Sequence, residues 1–81
     1  MSATVDTVIE VMRDLAPLEL VDLAPDTPFE DTEIDSLVLV EAAVKLTSAY
    51  GVSLDDSDLV GAATPAGVVD LIRSRLAATA T

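Results

Sequence analysis

The feature that most constrains this chain is a helical apolar period that proline keeps interrupting. Val5, Val8, Ile9, Met12 and Leu15 recur three or four positions apart, while Asp6, Glu10, Arg13 and Asp14 fall on the other face. That spacing predicts an amphipathic first helix, capped by Ser2 or Thr4 and stopped before Pro17. From Pro17 to Asp35 the chain carries Pro17, Pro25 and Pro28, with Leu18, Leu20, Val21, Leu23, Phe29 and Ile34 available to pin it to a core. A structured connection is expected, and long connections of this kind inside compact domains tend to be functional.

A second helix is predicted from about Ser36 to Tyr50, with Leu37, Val40, Ala43 and Val44 inward and Val38, Leu39 and Ala42 nearer the outside. Gly51 supplies its left-handed closing residue. Asp55, Asp56, Ser57 and Asp58 precede Leu59 and Val60, enough for a short helix with acids at its favourable end, terminated by Gly61. Thr64 and Pro65 are an N-cap and a first-turn proline, opening a last helix that turns Val68, Val69, Ile72 and Leu76 inward and carries Arg73 and Arg75 near its end. The tail from Ala77 to Thr81 is expected to fray. No stretch alternates as a strand would. The expectation is therefore an all-α fold, a small four-helix bundle of three longer helices and one short one, forming a single domain over residues 1–81 with its folded core at about 4–78.

Composition narrows the chemistry. The 81 residues include no cysteine and no histidine, which removes disulfides, thiolate nucleophiles, imidazole bases and the usual zinc ligands together. Fifteen acids against four bases give a net charge of -11, which repels nucleic acid and anionic lipid and attracts proteins with basic faces. No charge-free apolar run approaches the roughly 18 residues that span a bilayer, and Met1 to Glu10 lacks the basic start of a signal peptide, so a cytoplasmic location is expected.

Ser36, in Ile34-Asp35-Ser36-Leu37, sits where the second helical pattern begins. Its plain reading is a first-turn serine behind an Asp35 cap, with Thr32 and Asp35 offering a competing capping box. Its functional reading cannot be an autonomous nucleophile, because serine needs an adjacent base and only carboxylates are on offer. Ser36 is better suited to being acted upon. The acid clusters Glu30, Asp31, Glu33, Asp35 and Asp55, Asp56, Asp58 lack the ligand spacing and turn glycine of a calcium loop, and read as a solvated interaction face with no metal site. Tyr50 and Phe29, the only aromatics, read as core.

Taken together, the first amphipathic helix, the loop containing DTPFED, the IDSL that opens a second helix closing in YGV, the short acidic helix and the TP-initiated last helix resemble the acyl carrier protein family. The resemblance runs from about Val5 to Leu76. It implies a non-catalytic carrier whose Ser36 receives phosphopantetheine from coenzyme A through a separate transferase, and whose arm holds acyl groups as thioesters. The implied partners are that phosphopantetheinyl transferase and acyl-loading, ketosynthase or acyltransferase enzymes with basic docking faces; nucleic acid and membrane are not among them, and the carrier is expected to be a monomer.

Two departures from the family pattern stand out. Thr32, Glu33 and Ile34 precede Asp35 where the family usually has LGx, and the helix after Ser36 holds only Glu41 and Lys45 as charges, where carriers of primary fatty-acid synthesis have several acids. The second departure points to a discrete carrier of polyketide or related specialised biosynthesis. A free-standing peptidyl carrier is the alternative within the family, and a small acidic helical adaptor with a structural Ser36 is the alternative outside it. For docking, the charge distribution suggests that Glu33, Asp35, Glu41, Asp55, Asp56 and Asp58 steer a basic partner, while Leu37, Val38 and Leu39 supply the apolar contact. The competing reading packs Val38 and Leu39 against the Pro17 to Asp35 loop.

Overall fold

A computed structural model of the chain describes residues 4–79. Four α-helices follow in order, α1 (Val5–Leu15), α2 (Ser36–Tyr50), α3 (Asp56–Ala62) and α4 (Pro65–Thr79), with a single 3-10 turn at Phe29–Asp31 and no strand among the described residues. α1 packs on α2 and α4, and α3 bridges α2 and α4. The bundle expected from the apolar periods is the bundle observed.

Local chemistry sets the helix ends. The Thr4 hydroxyl accepts from the Thr7 N–H and starts α1; Ser2, the other candidate cap, lies outside the described residues. Asp35 accepts from the Val38 N–H at 3.1 Å and starts α2, which Gly51 closes at φ 70°. The proposed Thr32–Asp35 capping box does not form, because the Thr32 hydroxyl donates to the Phe29 carbonyl at 2.6 Å instead. A capping box does form at α3, where the carboxylates of Asp55 and Asp58 each accept from the other's backbone N–H.

α3 runs past Gly61 to Ala62, and the positive φ of 69° falls on Ala63. The reason lies outside the helix: the Phe29 N–H donates to the Ala63 carbonyl at 2.8 Å and the Ala66 N–H to the Pro25 carbonyl at 2.9 Å, so the long connection dictates where the α3–α4 junction turns. The junction is tight enough that a Cβ on Gly67 would strike the Ala62 carbonyl. α4 stays helical through Thr79, so the fray expected from Ala77 is not seen up to that point, and residues 80–81 lie outside the described ones.

Val8, Met12, Leu46, Leu59, Val68 and Ile72 are fully buried, and Tyr50 and Phe29 join them in the core as expected. The long connection is anchored by Leu20, Leu23 and Phe29, whereas Leu18 and Val21, also expected as anchors, lie in solvent at 85% and 62% exposure. Arg13 explains the choice. From the last turn of α1 its guanidinium donates to the carbonyls of Leu20 and Leu23, which fixes those two residues against the bundle and leaves their turn neighbours outside.

The face of α2 requires the main correction. Ala42, Ala43, Leu46 and Tyr50 are buried, with Val38 and Leu39 half-buried against the core, while Leu37, Val40 and Val44 are exposed. The helix is thus rotated relative to the expectation that put Leu37, Val40 and Val44 inside and Val38, Leu39 and Ala42 outside. α2 is apolar almost all round, so apolar spacing alone leaves its rotation open. Its two charges decide it. Leu37 lies four residues before Glu41 and Val44 three after, and Glu41 in turn lies four before Lys45, so these residues share one face and the charges keep that face in water.

Candidate functional site

Ser36 is the first residue of α2 and is exposed, with the Asp35 carboxylate occupied by the Val38 N–H one turn on. A helix start turns unpaired N–H groups and the positive end of the dipole toward whatever is attached there, so a phosphate ester on the Ser36 oxygen would be received by the backbone itself. Arginine and lysine are not needed for that, and neither is a base on this chain. Among the described residues lining the site, the groups that could take the serine proton are the carboxylates of Glu30 and Asp35.

Ser36 also forms part of the wall of a cavity of about 290 Å³ between the 3-10 turn, α2 and α3. Phe29, Ile34, Leu39, Val60 and Ala63 make its apolar lining, and Glu30 and Asp35 supply its charges. Sequence reasoning identified Ser36 and Asp35 but missed this cavity, whose walls come from segments more than thirty positions apart. The half-burial of Leu39 is explained by it: the side chain faces the cavity as well as the core.

The other residues singled out from the sequence separate into two groups. Glu33, Leu37 and Glu41 are exposed, as are Val40 and Val44 farther along α2 and Val60 on α3, which the sequence reading either put inside or did not select. Asp55 and Asp58 are engaged in holding α3. Asp58 receives both terminal nitrogens of Arg75 at 2.8 and 2.9 Å, and Arg75 also donates to the Ser53 carbonyl, so this acid is bound into the fold with α4. Asp56, between them, is half-buried.

The Arg75 hydrogen bonds, aided by the backbone N–H of Asp55, hold the Asp58 carboxyl down to about 2 from its ordinary 3.8. A carboxyl more acidic in the folded than in the unfolded chain stabilises the fold above the ordinary value, and that stabilisation is lost as the pH falls through the depressed one. Wild type should therefore lose stability steeply between about pH 4 and pH 2, and Asp58→Asn should show a shallower loss in that window, read as denaturation midpoint against pH. Identical slopes would mean that the pair contributes nothing.

A family described as the phosphopantetheine attachment site matches residues 6–72. Over 78 residues the chain is 36% identical to the meromycolate extension acyl carrier protein of Mycolicibacterium smegmatis, covering 90% of this chain and 79% of that one. Over 52 residues it is 46% identical to the actinorhodin polyketide synthase acyl carrier protein of Streptomyces coelicolor, covering 64% and 60%. Against the Mycobacterium leprae meromycolate extension carrier it spans 58% of that protein's length. The solution structure of hexanoyl acyl carrier protein from the actinorhodin synthase superposes with a TM-score of 0.75 at 34% identity, covering 95% of this chain and 94% of that one.

Proposed function

The chain belongs to the acyl carrier protein family, whose phosphopantetheine attachment region it matches over most of its length, and on that premise we propose that Ser36 is the attachment residue. The carrying observation is the placement of this serine: exposed, first in α2, capped by its neighbour rather than by itself, and part of the wall of a cavity. When bound, the arm supplies a terminal thiol that holds acyl groups as thioesters, which a chain without cysteine cannot provide for itself.

The protein's own residues do the rest. The first turn of α2 receives the phosphate ester through its N–H groups. Glu30, Glu33 and Asp35 surround it with like charge, which turns the arm outward to where partner enzymes reach it. The reactions on the cargo are those of the partners. We place the carrier in polyketide or related biosynthesis, supported by its similarity to actinorhodin-type carriers and by an α2 whose net charge is zero. No helix among the described residues is long and apolar enough to cross a membrane, and the acidic composition suits a cytoplasmic carrier.

Docking falls to the outer face of α2. Leu37, Val40 and Val44 form an exposed apolar stripe beside Glu41, with the negative charges of Glu33 and Asp35 just before α2 and of Asp55 and Asp56 at the start of α3. Asp58, held by Arg75, contributes less to steering than its position in the sequence suggests. With a cognate partner, Val44→Ser should speed dissociation while shifting stability by no more than about 0.5 kcal/mol, as expected at a surface site. A sharply lowered melting temperature would return Val44 to the core.

The attachment itself is tested by intact mass. After incubation with coenzyme A and a broad-specificity phosphopantetheinyl transferase, the purified chain should gain one arm and no more. No gain would favour a helical adaptor.

A further inference from the structure

We propose that Lys45 is the specificity determinant of the α2 docking face: it selects a partner that sets a carboxylate opposite it and rejects one whose docking face is basic throughout. This deepens, and rests on, the reading of that face as the docking surface.

Three observations carry it. Leu37, Val40, Glu41, Val44 and Lys45 are exposed at helical spacing, and Ser48 and Ala49 continue the stripe with short, uncharged side chains. Lys45 is thus the last long side chain of the stripe and its one cation. The chain's other bases lie elsewhere: Arg13 is committed to the Leu20 and Leu23 carbonyls, Arg75 to Asp58 and Ser53, and Arg73 belongs to α4. Finally, the ammonium of Lys45 forms no hydrogen bond or ion pair with any described residue, Glu41 one turn earlier included. A lysine serving only to brace its own helix would make that pair.

Steering and selection then act at different ranges. At a distance, the field of a chain with net charge -11 draws in any basic face. Once contact excludes water along Val40 and Val44, charges a few ångströms apart interact in a lower dielectric. An arginine or lysine seated against Lys45 is then repelled, and a carboxylate there is attracted. The charge also changes sign along the face. Lys45 lies nine residues beyond Ser36, about 13 Å along the helix, with Glu41 between them and Glu33 and Asp35 before. A partner that matches negative charge near the arm and positive charge beyond it docks one way round only, which fixes the direction in which the arm is presented.

The test uses the full chain in its phosphopantetheine-bearing form, prepared with the transferase and verified by mass. The probe is a malonyl acyltransferase of primary fatty-acid synthesis, selected for a docking face that bears arginine and lysine and no carboxylate. Transfer of the malonyl group from its coenzyme A thioester to the arm's thiol is read at low salt as KM for the carrier and kcat. Lys45→Glu, at an exposed position that leaves folding intact, should lower KM roughly tenfold with kcat unchanged, and Lys45→Gln should fall between. Both differences should shrink below about twofold at about 0.5 M salt. In the reciprocal arm the bases of the probe's face are changed to Glu one at a time, and at one of them wild type should gain while Lys45→Glu loses. A KM indifferent to Lys45, a change confined to kcat, or the absence of any such reversal would overturn the proposal. Val44→Ser isolates the premise. If it raises KM while Lys45→Glu does nothing, this inference falls alone; if it leaves KM unchanged, the docking reading of α2 falls and this inference with it. Failure of the mass gain would overturn the attachment reading and, again, this inference.

Discussion

Ser36→Ala is expected to receive no phosphopantetheine at all, under conditions in which wild type gains one arm. The chain has other hydroxyls, but Ser36 is the one that combines an exposed position at the first residue of a long helix with the wall of an apolar cavity. Its hydroxyl is also dispensable for folding. Asp35 caps α2 through the Val38 N–H, so the substitution removes no cap and creates no buried vacancy. Circular dichroism and melting should therefore match wild type within the ~0.5 kcal/mol usual for surface changes. A full mass gain in this variant would place the arm on another residue.

The second large effect is on stability. Leu46 is fully buried on the inner face of α2, where Leu to Ala typically costs ~2–5 kcal/mol through lost burial and the cavity left behind. A domain of this size has on the order of 5–15 kcal/mol in total, so Leu46→Ala should lower the melting temperature by roughly 10 °C or more. Val40→Ala, six positions earlier and 41% exposed, should cost at most about 1 kcal/mol. The ranking of the two variants, measured by thermal denaturation, reads the rotation of α2 directly. A larger loss at Val40 would restore the rotation that apolar spacing first suggested.

That helix shows where sequence reasoning succeeds and where it stops. The caps at Thr4, Asp35 and Thr64 were legible because they are local: each bonds a backbone N–H three residues on, as Asp55, read only as one of an acid cluster, also does, and Gly51 takes its positive φ within a single residue. α1 was legible because its charged and apolar faces are cleanly divided. The rotation of α2 was not, since nearly every face offered aliphatic residues and the deciding signal was the phase of Glu41 and Lys45. Leu18 and Val21 were misplaced for a different reason. Their turn is set by Arg13, a residue of the preceding helix, and nothing in the loop's own sequence records that. The proposal of Ser36 rests on a motif the sequence already displays, whereas the cavity beside it required Phe29, Leu39 and Val60 to meet in space.

Tyr50 gives the molecule a built-in optical reporter. It is the only tyrosine, there is no tryptophan, and it closes the helix that Ser36 opens, about 21 Å away along the axis. The residue is 8% exposed and its hydroxyl is enclosed with no hydrogen-bond partner among the described residues. Near-ultraviolet absorbance and emission from this protein therefore come almost wholly from one ring in one apolar setting, at the opposite end of α2 from Ser36. Spectral change on unfolding will be large, whereas change on the proposed attachment at Ser36 will be small, so one cuvette can follow folding independently of events at the start of α2.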